Sequence, residues 1–295
     1  MSEYHIHLIL VLSTLIGLTA ASIGTTLPFT GLCPIPSKTP EPMNIETSQA
    51  KKIFTFPLTF IGNHGHQKAV LVNTGHSVEV FLKEPKTAEI VIGGVLGFNL
   101  YVYSKTRFYW TNETNGEAYS TVNGKNGSPL EASVVYYNLK YGTYREALKY
   151  RDGLFEVLFR IRIGSKSSRK FEKFGQALRK VRQPTQVATI ELTDSFLWFE
   201  ESLTNVAYFA YPGAETNETS HTVYYCTTTV LVEQNTIPSI SKKQFKETFL
   251  RLIGDNGNPL INQRPQVPQD NRPVVESFGI LLIRLKNAIN FPSVE

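Results

Sequence analysis

The chain has 295 residues, 41% of them hydrophobic and 19% charged, with 20 Gly, 16 Pro and 2 Cys. That composition excludes a collagenous, coiled-coil, disordered or disulfide-scaffold protein and leaves ample material for one large core or two small ones. Thirty Lys plus Arg against 25 Asp plus Glu give a formal charge of +5, too small an excess to imply nucleic acid without a concentrated patch.

In chain order, the apolar run 8–18 followed by Thr19-Ala20-Ala21 has the form of a secretory signal peptide with a small-x-small cleavage pattern. It predicts a signal over 1–21 and a mature domain over 22–295. No Lys or Arg precedes the run, and Glu3 does, so a short buried helix is the competing reading. Later stretches fall short of the roughly 18 apolar residues that a membrane span needs; even Gly279-Ile-Leu-Leu-Ile283 is cut by Arg284 and Lys286. The expected location is therefore secreted and extracellular. There the two thiols, Cys33 and Cys226, are expected to join in one long-range disulfide. Sequons at Asn112, Asn126 and Asn217 agree with that route, each being either a glycosylation site or an unmodified loop Asn.

Short period-2 alternation dominates the rest. It predicts strands over 78–82, 89–92, 100–103, 107–110, 132–136, 154–163 and 222–232. A short helix is expected over 144–149. The segment 165–182 is the clearest helix, with Phe171, Phe174, Leu178 and Val181 on one stripe and Lys166, Arg169, Lys170 and Lys173 on another. A further helix over 242–252 would be opened by Ser239 or Ser241 as N-cap. No internal repeat, low-complexity block or long linker divides the chain, so a single β-dominated domain is expected.

Several separated motifs then occur in order: Glu41-Pro-Met-Asn-Ile45, Asn73-Thr-Gly-His-Ser-Val78, Asn138-Leu-Lys-Tyr-Gly142 with Glu146-Ala147, and Asp152-Gly-Leu154 with Gly164-Ser165. Tyr211-Pro-Gly213 and Asn262-Gln-Arg-Pro-Gln266 follow, with Arg272 and Ser277-Phe278. Together, from about Cys33 to Phe278, the set resembles the α-class carbonic anhydrases. The resemblance implies an α+β, mainly β fold: one domain around a large twisted, mostly antiparallel sheet of about ten strands, with peripheral helices and a conical pocket floored by the sheet. It also places Cys33 and Cys226 where extracellular members carry a disulfide beside the pocket.

The family's chemistry implies three neutral imidazoles holding Zn²⁺, which lowers the pKa of its bound water from 15.7 to about 7. Two of those histidines lie two apart on one strand and the third on its neighbour, all facing one side. In this sequence the F-H-F-H-W strand aligns with Thr106-Arg-Phe-Tyr-Trp110, and the E-L-H-L-V-H-W-N strand with Glu131-Ala-Ser-Val-Val-Tyr-Tyr-Asn138. Arg107, Tyr109 and Ser133 thus stand at the three ligand positions. A different register cannot restore imidazoles, because the six histidines are at 5, 7, 64, 66, 76 and 221. Without the ion, the hydroxide fraction of a pocket water at neutral pH falls by roughly eight orders of magnitude.

Three further positions carry the resemblance into the pocket. His76 matches the proton-shuttle histidine and Thr222 the gatekeeper hydroxyl, while the acidic partner of that hydroxyl falls near Tyr119 and is lost. Glu156 takes the place of an apolar wall residue. It is expected to pair with Arg107 in the vacated metal site; otherwise Glu156 points to solvent and Arg107 snorkels. A shuttle without a zinc hydroxide has nothing to serve, so His76 reads rather as a strand-end histidine kept for structure.

Elsewhere His64 and His66 lack an identifiable third ligand, and neither a G-x-S-x-G elbow nor a glycine-rich phosphate loop is present. The leading expectation is a zinc-free, catalytically inactive extracellular binding module. Its partner would be an extracellular protein or a sulfated polysaccharide engaged by Lys166, Arg169, Lys170 and Lys173, unless that stripe is only the solvated face of a helix. The alternatives are a zinc-dependent carbonate dehydratase with an unrecognised metal site, and a closed small-molecule pocket behind Arg107 and Tyr109.

Overall fold

The computed structural model describes residues 42–61, 67–84, 88–112, 120–125, 128–192, 207–216, 224–232, 239–263 and 266–279. The strands, in order, are β1 (Asn44–Ile45), β2 (Lys51–Thr55), β3 (Thr59–Ile61), β4 (Gln67–Asn73), β5 (Val78–Leu82), β6 (Ile90–Ile92), β7 (Tyr101–Trp110) and β8 (Thr121–Val122). They continue as β9 (Leu130–Asn138), β10 (Leu154–Gly164), β11 (Val187–Leu192), β12 (Tyr208–Thr216), β13 (Tyr224–Val232), β14 (Ser239–Ser241) and β15 (Val275–Gly279). Among the described residues the α-helices are α1 (Tyr144–Ala147), α2 (Arg169–Leu178) and α3 (Lys242–Glu247).

Thirteen of these strands form one sheet, whose continuous path runs β11-β4-β5-β7-β9-β10-β13-β12-β15-β2. Neighbours along it are antiparallel except β10 with β13 and β15 with β2. The ten-strand path and the mostly antiparallel pairing agree with the sequence expectation.

The central strands are buried on both faces, for two different reasons. On one face α2 and α3 press an aromatic layer onto the sheet. Phe108 of β7 lies 5.1 Å from Phe174 and 5.6 Å from Phe249, and Trp110 lies 5.2 Å from Phe249, between ring centroids. On the other face the side chains alternate with these and include Arg107, Tyr109, Glu131, Ser133, Glu156 and Thr229. The same side carries an apolar cluster of Met43, Ile45, Val122, Leu158, Phe209, Tyr211, Leu231 and Val274. A polar patch therefore sits against a hydrophobic core.

The expected strands 100–103 and 107–110 are one continuous strand, β7. The alternation breaks between them because Ser104 is an extra residue: Tyr103 pairs with Tyr136 while Lys105 pairs with Val135. This bulge reverses the phase of the strand, so Tyr101 and Tyr103 share a face with Thr106, Phe108 and Trp110. Tyr103 accordingly makes a 3.0 Å hydroxyl contact with Thr106.

The helices are shorter than the periodicity suggests. Ser168 caps α2 by accepting from the Phe171 amide at 3.3 Å, and Phe171, Phe174 and Leu178 are buried as expected. Ser241 caps α3 in a reciprocal capping box with Gln244. At Thr248 the backbone turns away, and a 3-10 turn over Phe249–Arg251 follows.

Candidate functional site

Arg107 and Tyr109 project from β7 on the same side, and Ser133 of β9 lies directly opposite Arg107. The three positions predicted from the sequence are therefore brought together. Arg107 is 1% exposed. Its Nη1 donates to the Tyr109 hydroxyl at 3.0 Å, while Nε and Nη2 donate to Glu79 Oε1 at 3.0 and 2.9 Å.

Glu79 is the residue that sequence reasoning missed. It stands on β5 opposite Arg107, and the same Oε1 accepts from Lys105 Nζ at 3.0 Å. Burial alone would raise the Glu79 pKa, but the charges of Arg107 and Lys105 outweigh it and hold the carboxyl below its ordinary range. The partner expected from the sequence is Glu156, which lies on the same face of the sheet as Arg107. Glu156 lies on β10 opposite Val135 and Thr229, where Ser133 Oγ donates to one oxygen and Thr229 Oγ1 to the other at 3.2 Å. Glu156 is 4% exposed, so the alternative in which it points to solvent is overturned.

Glu131, opposite Tyr109, completes the polar patch. It accepts from the Ser120 amide at 3.3 Å. Burial pushes its pKa up to about 8, helped by the nearby Glu156 and opposed by the Ser120 amide and Arg160. Arg160 itself reaches the Val232 carbonyl at 3.4 Å. Chemically the patch is a set of buried acids matched to guanidinium, ammonium and hydroxyl donors. Among the described residues no group of three or more His, Cys, Asp or Glu is gathered in a way that could hold a metal ion.

His76 lies in the turn between β4 and β5, about half exposed, with Nε2 3.2 Å from Asp255 Oδ2. The turn is a structural tie. Asn73 Nδ2 reaches the carbonyls of Val181, Arg182 and Ile253 at 3.1 to 3.2 Å, and Asn73 Oδ1 accepts from the Gly75 amide at 2.8 Å. Gly75 has φ +85°, and a Cβ there would come within 1.7 Å of Asp255 Oδ1.

Lys166, Arg169, Lys170 and Lys173 are all exposed along α2 and its approach, as expected. Asn112 is exposed just after β7. Cys226 is half-buried on β13 opposite Ala214. Cys33, Tyr119, Asn126, Asn217, Thr222, His64, His66 and the expected signal over 1–21 lie outside the described residues. No helix among the described residues is long and apolar enough to cross a membrane.

A family model described as eukaryotic-type carbonic anhydrase matches residues 36–278. Carbonic anhydrase 4 of Rattus norvegicus is 28% identical over 243 residues, covering 81% of this chain and 75% of the relative. Carbonic anhydrase 1 of Mus musculus is 27% identical over 243 residues, covering 80% of this chain and 88% of its own length. Carbonic anhydrase 3 of Homo sapiens is 26% identical over 216 residues, or 72% and 80% of the two chains.

Proposed function

The chain belongs to the eukaryotic-type carbonic anhydrase family, and we propose that within it this protein is a catalytically inactive member that acts through binding outside the cell. The observation that carries the proposal is the side chain at the first expected ligand position. Arg107 is a permanently protonated guanidinium with no lone pair to give a metal, and it is buried against Tyr109 and Glu79. Tyr109 is hydrogen-bonded to that cation and Ser133 to Glu156. These residues do not fit Zn²⁺, since a fixed cation sits where the ion would need a neutral nitrogen donor. No other histidine lies between 76 and 221. His76, which would shuttle protons in an active member, here has the role of an Asp255-linked turn residue.

The proposal extends to the secretory features. A signal over 1–21, a mature domain over 22–295, a Cys33–Cys226 disulfide and glycans at Asn112, Asn126 and Asn217 form one consistent set, supported by the sequence pattern and by the exposure of Asn112.

Zinc content and carbon dioxide hydration test the reading together. The purified full chain is expected to hold far less than one equivalent of zinc and to hydrate carbon dioxide no faster than buffer. Stoichiometric zinc with turnover would overturn the proposal in favour of a working carbonate dehydratase.

A further inference from the structure

We infer that α2 and α3 together form one basic face that binds a sulfated polysaccharide, a surface larger than the α2 stripe alone. The inference rests on the reading of the protein as a binding module.

The two helices lie side by side with their starts together. The Ser168 amide donates to Gln244 Oε1 at 2.9 Å, Gln244 Nε2 donates to the Ser168 carbonyl at 2.8 Å, and Ser167 Oγ lies 3.2 Å from Ser241 Oγ. Their far ends also meet, with Arg179 Nη1 3.8 Å from Glu247 Oε2. The helices therefore run in the same direction, and their outer faces adjoin. To Lys166, Arg169, Lys170, Lys173, Arg179, Lys180 and Arg182 the second element adds Lys242, Lys243, Lys246 and Arg251, all exposed.

Over 165–182 and 241–252 there are eleven cations and two acids, Glu172 and Glu247. That is an excess of nine on a chain whose formal charge is +5, so the remainder of the molecule is net acidic. The charge is polarised onto one face, which concentrates the field there.

Helix stability accounts for only part of this arrangement. A helix is favoured by acids in its first turn and cations in its last, yet Arg169 and Lys170 open α2 and its last turn holds no basic residue. Glu172 in the first turn of α2 and Lys246 in the last turn of α3 follow that rule, whereas Arg169 and Lys170 stand against it.

The chemistry of the face also selects the partner. Protein interfaces are anchored by buried aromatic and apolar side chains, and the exposed large hydrophobic residues include none from 165–182 or 241–252. A ridge of cations without apolar anchors suits a linear, flexible polyanion. At about 1.5 Å per helical residue, α2 alone offers a track of about 15 Å, long enough to meet more than one sulfate group.

The test is affinity for heparin, measured by salt elution and by titration of the full chain. Wild type should remain bound well above physiological ionic strength. A Lys242→Gln, Lys243→Gln, Lys246→Gln triple variant and an Arg169→Gln, Lys170→Gln, Lys173→Gln triple variant should each bind roughly tenfold more weakly or worse. A Lys51→Gln, Lys68→Gln, Lys83→Gln control, exposed cations elsewhere, should bind like wild type, and all variants should melt near the wild-type temperature. Release of wild type at physiological salt, an α3 variant indistinguishable from wild type, or a control as weak as the others would overturn the inference. So would equal affinity for desulfated heparin or for single-stranded DNA. None of these outcomes touches the zinc and hydration measurements, so the binding face can fail while the inactive-member reading stands, and the reverse.

Discussion

Arg107 is buried and gives two of its donors to the Glu79 carboxylate. A buried guanidinium stripped of its acid costs about 3 to 5 kcal/mol, whereas hydroxyls stripped of an acceptor cost about 1 to 3 kcal/mol and can turn elsewhere. Glu79→Ala should therefore destabilise the protein more than Glu156→Ala, because Arg107 and Lys105 both donate to Glu79. Glu156→Ala removes the acceptor of the Ser133 and Thr229 hydroxyls. Denaturant unfolding of the two variants checks the ranking, and a Glu79→Leu, Arg107→Met double variant should recover much of the loss. The opposite order would make Glu156 the more important acid of the patch. Glu156 is legible in the sequence because alignment places it in the pocket. Glu79 was hidden by topology, since β5 meets β7 only after the chain has passed through β6. A single acid inside the apolar run Val78-Glu-Val-Phe-Leu82 was the available signal.

At the level of elements, Asn73 joins three pieces of chain: the turn after β4, the end of the α2 segment and the loop at Ile253. Asn73→Asp should be more destabilising than Asn73→Ala. The carboxylate keeps an acceptor for Gly75 but turns a like partial charge toward the carbonyls of Val181, Arg182 and Ile253, leaving buried groups opposed as well as unpaired. Thermal melts and amide exchange around 181–186 would show this, and equal melting of the two variants would count against it. Elements with a clean period were legible in sequence, including β5, β9, β10 and the buried stripe of α2. β12 was not, because Pro212-Gly213 reads as a break. The structure tolerates Pro212 because β15 pairs with β12 only as far as Ala210, so the missing amide is not needed on that side.

The stability of the whole molecule should depend on pH in an unusual direction. Burial raises Glu131 to about 8 and Glu89 to about 7, from an ordinary 4.5, with Glu89 accepting from the Tyr136 hydroxyl at 2.6 Å. Between 4.5 and those values the folded state holds protons that the unfolded state has released, so stability falls as pH rises through this window. Glu79 acts oppositely: its lowered pKa contributes stability that is lost on acidification. The maximum is expected on the acid side of neutrality, and Glu131→Gln should flatten the decline between pH 5.5 and about 8. Unfolding midpoints at several pH values decide this; a wild-type curve that rises across the window would refute it.

The extra residue at Ser104 has a consequence for the whole chain. Every side chain on β7 beyond it owes its choice of side to that single insertion. Deleting Ser104 would rotate the second half of the strand by one step, driving a guanidinium among the phenyl rings of Phe174 and Phe249 and presenting Phe108 to Glu79. A substitution at these positions leaves that choice of side intact, whereas removing the bulge residue reverses it for every position that follows.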